Sequence, residues 1–108
     1  GGATLQSVSV GGKSTALLLV VRGGNTLVTL DENLAVRAMI PAGQADRVDC
    51  VQTAVYLLTG DLVECYSFEG KQSWTKTLTA HPVAVLDAEQ TLVFYGDTVD
   101  ALTAPAES

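Results

Sequence analysis

Five residues near the start of the chain, Gly11-Gly12-Lys13-Ser14-Thr15, match the end of a phosphate-cradling loop, and Val83-Ala84-Val85-Leu86-Asp87 resembles a strand that would position its metal. The full loop needs a glycine five residues before Gly12, and that position is Ser7. It also needs a helix whose N-terminal amides hold the phosphates, yet Ala16 to Val21 is a β-type run stopped by Gly23-Gly24. The segment therefore reads as a hairpin turn, with no nucleotide cofactor. His81 is the single histidine and stands before Pro82 at the entry of a strand. Nucleophilic catalysis would need it beside a carboxylate and a nucleophile, and neither the serines nor Cys50 and Cys65 show an activating neighbourhood. No catalytic residue is assigned. The two cysteines lack metal-ligand spacing and fall in what read as neighbouring strands, where free Cys behaves as a small buried hydrophobe.

Acidic residues offer the other chemistry. Asp31, Asp61 and Asp97 each follow an apolar strand, and Glu32, Glu64 and Asp100 lie near them. They could form an acidic rim for a cation or a basic partner. Turn chemistry accounts for them more simply, because Asp accepts bonds from turn amides and tolerates left-handed backbone. Twelve acidic against six basic residues give a net charge of -6, which opposes a direct grip on nucleic acid or an anionic membrane. The longest apolar run, Ala16 to Val21, is far short of the ~20 residues of a membrane-spanning helix.

The elements that position these residues are short. Val-, Leu- and Thr-rich segments alternate with turn formers at roughly 8- to 12-residue intervals, which predicts an all-β domain of antiparallel hairpins. Strands are expected near 4–10, 16–22, 26–30, 34–40, 47–53, 54–59, 62–68, 73–79, 82–86, 91–95 and 99–103. Gly23-Gly24-Asn25, Gly60-Asp61 and Glu69-Gly70 supply tight reversals, and Ala42 to Asp46 after Pro41 reads as the clearest loop. A single domain over 1–103 is expected, with 104–108 a disordered tail and Gly1-Gly2 a cleavage scar. Leu17 to Val21, Val55 to Leu58 and Leu92 to Tyr95 are apolar on consecutive residues, so both faces of those strands should be covered. Ser73 to Thr79 instead alternates, with Trp74, Lys76 and Leu78 on one side, as an outer strand does.

An internal repeat links these pieces. Leu27 to Asp31, Tyr56 to Asp61 and Leu92 to Asp97 align as strand plus acidic turn, and each is followed by another strand. Asp61 and Asp97 stand thirty-six positions apart, whereas Asp31 precedes Asp61 by thirty. On this pattern the chain resembles a β-propeller of the quinoprotein-like or WD-repeat kind. Val55 to Trp74 matches best, as a blade's inner hairpin followed by a Trp-bearing outer strand, and the resemblance covers Arg47 to Leu102. It implies two to three consecutive four-stranded blades. The cofactor-stacking aromatics and metal-binding acids of the quinone-binding members have no counterparts here, so no cofactor or metal is implied. A partial propeller leaves sheet faces and edges open. The expected function is thus a non-catalytic interaction or scaffold module, completed by a protein partner, a second copy or the remainder of a larger chain. Its expected partner-binding residues are Asp31, Asp61, Asp97, Trp74, Lys76 and Leu78, the last three through strand addition. The alternative is a β-sandwich that binds a small ligand or metal, with possible enzymatic use of the acidic turns and His81.

Overall fold

A computed structural model describes residues 3–87 and 90–105. The expectations for Gly1-Gly2 and for residues 106–108 lie outside them. The chain is all-β, and all eleven expected segments are strands: β1 (Thr4–Gly11), β2 (Ser14–Val21), β3 (Gly24–Leu30), β4 (Val36–Gly43), β5 (Arg47–Cys50), β6 (Val55–Thr59), β7 (Leu62–Tyr66), β8 (Gln72–Thr77), β9 (Ala84–Asp87), β10 (Thr91–Phe94) and β11 (Val99–Ala101). They form three antiparallel meanders, a first sheet β1-β2-β3-β4, a middle sheet β5-β6-β7-β8 and a third sheet β9-β10-β11. β-Branched and large apolar residues fit the half-buried pleat. Gly12-Lys13 and Gly60-Asp61 make two-residue turns, each with glycine first at a φ of +60° or +57°. That left-handed backbone is where glycine meets no steric cost.

Several strand ends differ from the sequence reading by two or three residues, β5 ending at Cys50 rather than Thr53 and β9 starting at Ala84 rather than Pro82 among them, and both ends of β4 differ for a physical reason. The expected loop after Pro41 is shorter, because Pro41, Ala42 and Gly43 continue β4 and only Gln44 to Asp46 lie outside a strand. β4 is an edge strand, where a proline's missing N–H leaves no partner strand unpaired. At its other end β4 begins at Val36 rather than Leu34. Leu34 has a φ of +65° and belongs to the turn.

The sheets stack face to face through two apolar layers. In the first layer Ala16, Leu18, Leu27 and Ala42 of the first sheet meet Val48, Cys50, Val55, Leu57 and Tyr66 of the middle one. In the second, Tyr56, Leu58, Val63 and Cys65 meet Val85, Val93 and Leu102. Val55 to Leu58 therefore serves both layers with successive residues, as its unbroken apolar run predicts.

Polar ties align the first strands of the three sheets. Ser9 Oγ accepts from the backbone N–H of Cys50 at 2.7 Å, and Ser7 Oγ accepts from Val48 N–H at 3.3 Å. One step along the stack, buried Asp49 accepts from Val85 N–H at 3.1 Å and from Arg47 at 2.8 Å, while Arg47 also donates to the Val83 carbonyl. At the far edge Arg37 of β4 lies 5.2 Å from the centre of the Phe68 ring and pairs with Glu69, and Thr29 donates to the Phe68 carbonyl at 2.5 Å.

The end sheets each keep one face uncovered. Register places Val10, Thr15, Leu30 and Val36 in one outward row of the first sheet, and Val8, Leu17, Val28 and Met39 in the next. A third row holds Leu5, Leu19, Thr26 and Pro41. On the third sheet the outward rows are Leu86, Leu92 and Ala101, then Ala84, Phe94 and Val99.

Gly11 sets the spacing of the first seam, since a Cβ there would lie 2.5 Å from the backbone of Cys50 and Val51. Gly11→Ala should therefore lower unfolding stability by about 2 kcal/mol or more, as overpacking against backbone does. Gly60→Ala, where a Cβ meets open space and only the left-handed φ is strained, should cost about 1 kcal/mol. Urea denaturation of the two variants checks the order.

Candidate functional site

The three aspartates do not share one turn. Asp31 follows the third strand of its sheet, whereas Asp61 and Asp97 follow the second strands of theirs. The counterpart of the Asp61 turn in the first sheet is Arg22-Gly23. Asp31 is consumed locally: its Oδ1 accepts from the backbone N–H groups of Asn33 at 2.8 Å and Ala35 at 2.9 Å. Those bonds hold the Leu34 backbone in its left-handed state, together with a Leu34 N–H bond to the Asp31 carbonyl. Asp61 and Asp97 are exposed. Among the described residues no group of three or more His, Cys, Asp or Glu side chains could hold a metal ion.

Trp74, Lys76 and Leu78 alternate with exposed Ser73, Thr75 and Thr77, and β8 is an edge strand of the middle sheet. Their side chains already have partners within the chain. Trp74 and Leu78 pack on the second apolar layer, with the Trp74 ring 5.9 Å from that of Tyr56, and Lys76 donates to the Thr103 carbonyl at 3.3 Å. His81 is exposed beside buried Pro82. Lys13 sits in its hairpin turn and pairs with Glu32 at 3.8 Å.

Cys50 and Cys65 are free and buried, and their strands are separated by β6 rather than adjacent. Cys50 is opposite Val55 and Cys65 opposite Tyr56. Successive residues of a strand face opposite ways, so the thiols lie on opposite faces of the middle sheet and cannot bridge. Burial raises both above the ordinary thiol value of 9.0. The Tyr66 hydroxyl is raised by burial and then by the Glu64 carboxylate to which it donates at 3.0 Å. None of these groups is primed as a nucleophile at neutral pH.

Open end faces were expected from the sequence, but the residues that form the uncovered face of the first sheet were not identified there. Its twelve positions contain ten apolar residues, two threonines and no charge. Val10 is 70% exposed and Met39 64%. β1 inverts the usual pattern, turning Ser7 and Ser9 toward the middle sheet and Val8 and Val10 toward solvent. That inversion was the available signal. A cleft of about 370 Å³ opens on part of this face, between the Arg22-Gly23 turn and Met39 to Pro41. No helix among the described residues is long and apolar enough to cross a membrane. No family model matches the chain, and no curated protein matches it.

Asp31→Ala should destabilise the fold by about 0.5 to 2 kcal/mol, the scale of a lost local cap, while Asp61→Ala and Asp97→Ala stay within about 0.5 kcal/mol of the parent. Urea midpoints measure the difference. The buried thiols set an alkaline limit. Because their folded pKa values are raised, native protein holds those protons more tightly, so stability is level below about pH 9 and falls as pH rises above it. A Cys50→Ala/Cys65→Ala variant should start less stable, from the lost packing, yet lose less between about pH 8 and 10. Thermal melts across that range test it.

Proposed function

We propose that the three sheets are consecutive blades of a β-propeller arc, and that the chain is a non-catalytic interaction or scaffold module whose end sheets are covered by another protein surface. Two four-stranded meanders and one three-stranded meander stacked face to face, with their first strands tied side by side, support the blade reading. The observation that carries the functional reading is the charge-free outward face of the first sheet. Soluble chains rarely leave a contiguous apolar surface of this kind open, and such patches mark sites of protein contact. The run Leu17 to Val21 reinforces it, because its residues suit a strand covered on both sides and here only one side is covered.

A Val8→Lys/Met39→Lys variant tests this. Both side chains are more than half exposed, so lysines there leave the isolated fold within about 0.5 kcal/mol of the parent. The parent should bind an apolar dye such as anilinonaphthalene sulfonate or associate in light scattering, and the variant should lose both behaviours. A parent that stays a monomer of 11.2 kDa and binds no dye would overturn the reading.

A further inference from the structure

The same faces identify what covers them. Resting on the interaction reading above, we infer that the first sheet's outward face is covered by the third sheet of a second copy, stacked head to tail. The chain carries both halves of such a contact. One is the Val8 and Val10 face, and the other is the Leu86 and Val99 face, apolar in both of its rows. Neither places a charge in the contact, although the chain as a whole carries -6. A second copy therefore brings no buried like charges together, and the acidic groups of both copies stay in water.

The direction follows from continuity. Within one chain the contact between sheets is made twice in the same sense, from first to middle and from middle to third, and the ties between first strands keep β1, β5 and β9 on one side of the stack. A head-to-tail copy continues that order, with its β1 beside β9. Contact between two identical faces would reverse it. One contact buries the first face of one copy and the third face of the other, together on the order of 1,000 Å², which reaches the lower bound of about 1,000 Å² for a specific interface and is below the roughly 1,600 Å² of a standard one. Contacts of this unlike-face kind close into rings when the rotation permits.

Two single variants and their mixture provide the test. Val10→Lys disables one face and Leu86→Lys the other, at positions 70% and 47% exposed, and unchanged urea midpoints of the monomers show that the fold survives. Light scattering of the parent should give the mass of two copies or a multiple. Each variant alone should weaken association at least tenfold, and an equimolar mixture should regain a dimer through its one intact pair of faces. Raising salt should tighten the parent's association by screening the net charge of each copy. The inference is overturned if Val10→Lys dissociates the parent while Leu86→Lys leaves it intact, or if the mixture stays monomeric. A dye-binding parent that is monomeric also overturns it and leaves the interaction reading standing, whereas a monomer that binds no dye removes both.

Discussion

The first strand of each sheet is an edge, and an edge strand presents backbone donors that must find acceptors or water. In this fold the neighbouring sheet supplies them through side chains. Ser7 and Ser9 serve β5, and Asp49 serves β9. That single constraint fixes the spacing of the stack. It requires small hydroxyl residues on the inner side of β1 and a glycine at position 11, where the backbones come too close for a Cβ. It also accounts for a buried carboxylate, because Asp49 is held by Arg47 on one oxygen and by a backbone N–H on the other. Charge-assisted bonds of that kind are stronger than neutral ones, which suits the smaller three-stranded sheet.

With the seam fixed, the apolar layers follow. The first layer combines small Ala16 and Ala42 of the first sheet with larger Leu57 and Tyr66 of the middle sheet, a mixture of sizes that suits close packing between sheets. Arg37 closes the outer rim of that layer by stacking on Phe68 while its charge meets Glu69. The middle sheet is thereby covered on both sides, and the end sheets on one.

Much of this was legible in the sequence. Turn residues punctuate β-rich segments clearly enough to locate all eleven strands, and the alternation Ser73 to Thr79 identified β8 as an edge. The misreadings share a cause, since each inferred position in the sheet from local similarity alone. Leu27 to Asp31 looks like Tyr56 to Asp61, but the first ends a third strand and the second a second strand, and the spacing of thirty instead of thirty-six was the trace of that difference. Pro41 looked like a loop opener because a proline cannot donate, which is immaterial on the open side of an edge strand. Open end faces were expected, but the alternation in Thr4 to Val10 does not say whether Val8 and Val10 or the neighbouring serines face inward. Only the topology shows that the serines between them take the inner side.

The placement of the cysteines gives the molecule a built-in record of how it comes apart. Cys50 belongs to the layer between the first and middle sheets, and Cys65 to the layer between the middle and third. Each thiol becomes reachable when its own layer opens, so the order in which a thiol reagent marks them reports which end of the stack peels away first.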